Sequence, residues 1–343
     1  MKGGATAMKT NGIAAYAEGA AQPGPIRTSP STDHNMRNRS ARRRKIAAKI
    51  WADRYRYLLV LPGLAFFIIF SYFPMYGVQL AFKKFMFKEG IWGSPWVGLG
   101  NFKAIMGTKE FWNSVINTLV ISFGKIATGF PVPIILALLM NELKSTKFMR
   151  VTQTVLYLPH FISWIIVAAL IYNLFSMSSG LFGKLMTSIG QEPIRLLGNL
   201  KYIRAEIYLS SIWKGAGWGT IIYLAALTSI DPSLYEAATI DGANRLQQAL
   251  HITIPGLAFA ITINLILAFG GVMNAGFDQI FQIYDPGTYA KADIIDTYVF
   301  RIGLISGKYE VSTAIGLFKN VINCILVLSA NAAAKLIGQE GLY

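Results

Sequence analysis

Residues 236–255 read Glu-Ala-Ala-Thr-Ile-Asp-Gly-Ala-Asn-Arg-Leu-Gln-Gln-Ala-Leu-His-Ile-Thr-Ile-Pro, a short polar island between two long apolar stretches. Just ahead of it, Asp231-Pro232 makes a helix start, because the carboxylate accepts from the first free amides and proline pre-sets φ at the first helical position. A helix is predicted over 232–240. Gly242 tolerates the left-handed backbone that ends it, and a second helix is predicted from Ala243 to Pro255, where the next apolar segment begins. The expected product is a helix-turn-helix hairpin at a membrane surface. Its small residues Ala237, Ala238, Gly242 and Ala243 let a partner approach the backbone closely, and Glu236 supplies one charge for an oriented contact.

The flanking sequence places this hairpin in a membrane protein. Hydrophobic residues make up 53% of the chain and charged residues 14%, against roughly 25% charged in soluble domains. Six apolar stretches, at residues 57–82, 115–140, 151–175, 207–230, 257–277 and 314–336, reach the length of about 20 helical residues that a hydrocarbon core requires. Backbone amides in lipid must be bonded within their own segment, so an all-α polytopic protein with six transmembrane helices is expected. Strand alternation of the barrel type and fixed-period repeats are absent from the sequence. The chain divides into a disordered, basic cytoplasmic tail over residues 1–50 and a six-span domain over residues 51–343, with the loop 231–255 inside it.

Nine basic residues lie between Arg37 and Arg56, and such a cluster beside the first span stays cytoplasmic. Six spans then return the C-terminus to the cytoplasm, and parity puts 231–255 on the same side. Topology thus accounts for much of the +15 net charge, so a nucleic-acid partner is not needed. The first 35 residues, rich in Ala, Gly, Pro, Ser and Thr, lack apolar periodicity and also lack the apolar run of a signal peptide. The single cysteine, Cys324, falls in the sixth span, where a small buried hydrophobe is expected.

The hairpin resembles the loop shared by permease subunits of binding-protein-dependent ABC importers: Glu-Ala-Ala, three residues, Gly, nine residues, Ile, one residue, Leu, Pro. Glu236, Ala237, Ala238, Gly242, Ile252 and Pro255 fall in register, with Asp241 beside the glycine and Ile254 in place of the usual Leu. A second stretch, Val97-Gly-Leu-Gly-Asn-Phe-Lys with Glu110-Phe-Trp-Asn and Asn117-Thr-Leu, is similar to the outer loop and interfacial helix of sugar-type permeases. Its rings Trp92, Trp96, Phe102, Phe111 and Trp112 suit the water–lipid boundary. Asp285-Pro-Gly, Ala292-Asp-Ile-Ile-Asp-Thr-Tyr and the terminal Gly341-Leu-Tyr look most like the oligosaccharide and polysaccharide branch.

That resemblance implies a type I importer permease fold and an obligate assembly in a bacterial cytoplasmic membrane. The implied partners are a second, related permease, an ATPase dimer that uses ATP and Mg, an extracytoplasmic binding protein and membrane lipid. The chain itself is expected to be no enzyme and to hold no cofactor. It contains no Gly-x-x-x-x-Gly-Lys-Ser/Thr phosphate loop, since Gly307-Lys308 runs into Tyr309 and Gly183-Lys184 into Leu185. His34, His160 and His251 are too scattered for a metal site. The rival readings are an ion-coupled secondary transporter and an ABC permease for a non-sugar solute. Ion coupling calls for ionisable groups at mid-membrane, and no Asp or Glu falls within the six stretches.

Polar and aromatic residues within the spans that could line a sugar path include Lys125, Trp164, Trp213, Lys214, Tyr223, Asn264, Asn274, Lys319 and Asn323. Each of them also suits hydrogen bonding between helices. Lys125, Lys214 and Lys319 lie five to eleven residues from the outer ends of the second, fourth and sixth stretches, which contain no carboxylate. Unpaired ammonium groups there would face a wet cavity, pair across subunits or snorkel. A cationic vestibule of this kind would favour an acidic oligosaccharide.

Overall fold

The computed structural model describes residues 48–49 and 51–336, so the expectations for the N-terminal tail and for Gly341-Leu-Tyr lie outside the described residues. The described chain is helical, with one isolated bridge between Lys83 and Trp96. It forms two units, Met1–Phe73 and Pro74–Tyr343. In the first, Asp53 pairs with Arg56 at the start of α1 (Arg54–Phe67), and a π-helical turn, Ile68–Tyr72, follows.

The second unit is organised by one long helical run. Its first part is α2 (Lys109–Gly129) and its second α3 (Pro131–Asn141), where Pro131 takes the first helical position and so sacrifices no intrahelical bond. Three apolar clusters lie along this run. Phe111 and Val115 pack with Ala81, Ile105, Met273 and Ile295, Ile121 packs with Ile203, Ile207 and Ile280, and Ala137 packs with Tyr223, Leu227 and Leu257. Phe111, expected as an interfacial ring, is instead a fully buried core residue, while Trp112 stays exposed.

Among the described residues, three helical runs are long and apolar enough to cross a membrane: Arg54–Phe82, Lys109–Asn141 and Tyr309–Ala333. Two bent pairs would bring the number to five. The expected fourth span corresponds to α6 (Ile203–Leu227), whose 25 residues suffice in length but whose Lys214, Trp213, Trp218 and three glycines dilute its apolar character. Length and hydropathy therefore do not by themselves reproduce six spans.

The third expected span is not a straight helix. Between α4 (Thr146–Tyr157) and α5 (Trp164–Phe175) the axis turns by 101°. A 3-10 turn, Leu158–Phe161, carries Pro159, and Ser163 restarts the helix by accepting from the Ile166 amide. On the facing α6, Gly217 sits against the Leu156 carbonyl so closely that a Cβ would collide with it. Gly217 thus serves packing within this chain. The fifth expected span likewise ends early. Here α9 (Ala258–Gly270) stops at Gly270-Gly271, and a short helix, α10 (Phe277–Ile283), begins beyond Gly276. The sixth stretch lies within α11 (Tyr309–Leu336), and Cys324 is exposed on it rather than buried.

Candidate functional site

The loop 231–255 forms the predicted hairpin. Asp231 caps α7 (Pro232–Ile240) by accepting from the Ser233 amide at 2.9 Å, a bond that lowers its pKa from the ordinary carboxylate value. The helix ends at Gly242, whose φ of 80° is the left-handed value that glycine adopts without strain. The second arm starts later than Ala243. Asn244 accepts from the Gln247 amide and Gln247 reaches back to the Asn244 amide, forming a capping box that opens α8 (Arg245–Gln248). The Asn-x-x-Gln spacing carries that signal in the sequence. A π-helical turn, Ala249–Thr253, leads to Ile254–Gly256 and a 61° bend into α9.

Side chains tie the two arms together. The Tyr235 and Thr253 hydroxyls are 3.0 Å apart, and Gln248 Nε2 donates to Thr239 Oγ1 at 3.1 Å. Glu236, Ala237, Asp241, Gly242 and Pro255 are exposed, whereas Ala238 and Ile252 are half-buried. Ala238, Asp241, Gly242, His251 and Ile252 line a cleft of about 310 Å³. All seven motif residues therefore belong to one compact hairpin, which presents small side chains, an open cleft and carboxylates.

The candidate path residues do not form one lining. Lys214 Nζ donates to the carbonyls of His160 and Ile162 at the bend and to that of Pro159, which also accepts from the Ile162 amide, and lies 5.6 Å from the Trp164 ring centroid. His160 stacks on Trp218 at 4.4 Å in the same bend. Lys125 Nζ donates to the Ala275 carbonyl at 2.7 Å and to Gln279 Oε1. Buried Gln279 continues the bridge to the Ile207 carbonyl and to Ser210 Oγ. Lys319 pairs with Asp296, which sequence reading missed because 23 positions separate them. The expected unpaired lysines are thus all partnered within the chain, since burying an ammonium without acceptors is too costly. Lys125 and Lys214 nevertheless differ from Lys319 in that the acceptors they meet are carbonyls and an amide, with no carboxylate among them.

Tyr223 is buried in the apolar cluster around Ala137, and Asn264 donates to Ala260 in its own helix. Trp213 lines an apolar cavity of about 480 Å³ with Leu170, Phe175 and Leu209. Asn274 is exposed beside Ala275, and the buried Asn323 Oδ1 has no hydrogen-bond partner.

A denser polar structure surrounds residues 284–301. Asp293 holds Arg301 through two bonds, of 3.0 and 2.6 Å, and accepts from Thr297. Asn117 donates to the carbonyls of Tyr289, Ala290 and Asp293, and its own oxygen accepts from Arg204 at 2.9 Å. Burial, reinforced by the neighbouring Tyr289, pushes the Tyr284 phenol up to about 12 and keeps it neutral against that ring. The segment is thereby tied to α2, α6 and, through Lys319, α11.

Long apolar helices, a proline-bent span and an exposed hairpin with this register define a transport subunit of a membrane. The chain belongs to the family described as the binding-protein-dependent transport system inner membrane component, whose model matches residues 129–339. It is 42% identical over 302 residues to the polygalacturonan/rhamnogalacturonan transport system permease protein YteP of Bacillus subtilis (strain 168), covering 88% of this chain and 94% of that one. A solved bacterial ABC transporter involved in the import of the acidic polysaccharide alginate contains a chain with TM-score 0.79 and 38% identity, covering 85% of this chain and 99% of that one. A second structure, a bacterial alginate ABC transporter in complex with an alginate pentasaccharide-bound periplasmic protein, matches at TM-score 0.78 and 37% identity, covering 86% and 99%. The chain is therefore a multi-pass inner-membrane permease subunit of an importer that depends on a binding protein.

Proposed function

We propose that the chain is one of two permease subunits of an ATP-driven importer of acidic oligosaccharides, with both termini in the cytoplasm and the loop 231–255 docked on an ATPase dimer. The observation that carries this reading is the hairpin. Its arms are fastened to each other by Tyr235–Thr253 and Gln248–Thr239, so a push on its exposed face moves both arms together. Such a unit converts closure of an ATPase into rigid-body movement of the attached helices, the repertoire expected of alternating access. Glu236 orients the contact and Gly242 sets the turn. ATP and Mg remain with the ATPase, and substrate arrives from an extracytoplasmic binding protein.

Two lines support an acidic substrate. One relative is named for polygalacturonan/rhamnogalacturonan transport, and one solved structure is of a transporter involved in the import of the acidic polysaccharide alginate. Lys125 and Lys214 also retain positive charge against neutral acceptors, a field that would draw uronate carboxylates. Lys319, neutralised by Asp296, contributes less.

The test uses the assembled transporter in liposomes with its binding protein. ATPase stimulation by oligouronates is expected to exceed that by neutral glycans of equal length by about tenfold, and Lys125→Ala and Lys214→Ala are expected to narrow the gap more than Lys319→Ala. Glu236→Lys should detach the ATPase while leaving the permease inserted. A preference for neutral glycans would remove the acidic substrate, and an ATPase that stays attached and stimulated in Glu236→Lys would remove the docking assignment.

A further inference from the structure

The hairpin is linked by an ion pair to a distant part of the chain. Arg245, the first residue of α8, places Nη1 2.6 Å from Oε2 of Glu142, which lies 103 positions earlier and caps the end of α3. Both ends are set by local structure. The Asn244–Gln247 capping box fixes the start of α8, and α3 is held by Ala137 in its cluster with Tyr223, Leu227 and Leu257. Behind Glu142 stands the helical run Lys109–Asn141, which is 33 residues long. Near its far end Asn117 grips the backbone of residues 289–293. From Asn117 to Glu142 the run extends about 38 Å at 1.5 Å per residue.

From this geometry we infer that Arg245–Glu142 is a strut that passes movement of the docking hairpin into the rod Lys109–Asn141, and through it to the segment at Asn117. The inference rests on the reading that the hairpin docks an ATPase. Arg245 and Glu142 are positioning residues and touch no substrate. Because the pair is exposed, with side chains 72% and 46% accessible, it adds little to folding stability. Its effect lies in which state of the long helix follows a given state of the hairpin. A guanidinium–carboxylate contact suits this role, since its directional bond resists sliding better than apolar packing does. Arg245→Glu would place two carboxylates at the joint, and Glu142→Arg two cations. The exchanged pair would restore opposite charges in reversed order.

The experiment compares Arg245→Glu, Glu142→Arg and the double exchange in the full transporter with its binding protein. Co-purified ATPase, thermal midpoint and sugar imported per ATP hydrolysed are measured for each. The ATPase is expected to stay attached and the midpoint to stay within about 2 °C, in keeping with an exposed pair. Import per ATP is expected to fall about tenfold in each single variant, within the range of coupling between sites, and to recover to within about twofold in the exchange. Unchanged import per ATP in the single variants, or no recovery in the double, overturns the strut. Release of the ATPase by Arg245→Glu alone also overturns it, by assigning Arg245 to the docking face. A parent complex from which the ATPase never co-purifies overturns the docking reading itself, and the strut with it.

Discussion

The loop 231–255 and the segment 284–301 are both irregular stretches between long apolar helices, yet they are held in opposite ways. In the loop most bonds are local, Asp231 to Ser233 and Asn244 to Gln247, with Tyr235 reaching Thr253 between the arms and Arg245 alone among these reaching a distant residue, Glu142. Most of its motif residues are exposed. In the segment the bonds are long-range, and Asn117, Arg204 and Lys319 reach it from helices far away in sequence. Several of its residues, including Asp293, Ile294, Ile295 and Thr297, are buried. A loop built on local bonds keeps its shape when it moves, as a docking element must. A segment bonded to several helices records how those helices are arranged, and gives way only when they shift.

Breaking the segment should cost most. Asp293 is 4% exposed and serves as the carboxylate partner of Arg301. Removing one member of a buried pair leaves a charge without compensation, so Asp293→Ala is expected to destabilise the folded subunit by about 3 kcal/mol. Thermal unfolding of the purified complex checks this, with Asp293→Asn expected to lose less because it still accepts from Thr297. Equal loss in both variants would show that the ion pair is not what holds the segment.

The loop's turn comes next. At φ 80° a side chain costs about 1–2 kcal/mol, and the space around Gly242 is otherwise open. Gly242→Asp is therefore expected to leave the spans intact, loosen the hairpin and uncouple uptake, whereas Gly242→Asn, which tolerates the left-handed region, should retain more activity. Uptake measured at matched expression separates the two. Equal behaviour of Asn and Asp would point to lost contact rather than backbone strain.

The smallest effect concerns pH. The pKa of Asp231 lies below its ordinary 3.8 in the folded state because its carboxylate accepts from Ser233. The cap is thus fully present above pH 3.8 and is lost as pH falls through the lowered folded value. Amide exchange at Ser233 should lose protection only below the ordinary carboxylate range, and Asp231→Asn, which still caps, should remove that pH dependence. Exchange that is insensitive to Asp231→Ala would show that proline and the loop context suffice without the cap.

Sequence and structure agree on α7 to the residue, because Asp231, Pro232 and Gly242 act within a turn of the positions they control. They disagree at the third span, where Pro159 signals a kink but not its size. At the 101° bend Lys214, from another helix, supplies a donor to the His160 and Ile162 carbonyls. They disagree again over the lysines, whose acceptors Gln279, Ile162 and Asp296 carry no mark in the sequence of being neighbours. By itself the sequence determined the helical class, the apolar stretches and the hairpin with its motif register, since periodicity, hydropathy, caps and turns are short-range properties. Only the tertiary structure decided where the spans bend, which charges are compensated and how the hairpin joins the helix ending at Glu142. Those outcomes depend on groups separated by tens to hundreds of residues, which meet only when the helices pack and which no local pattern names.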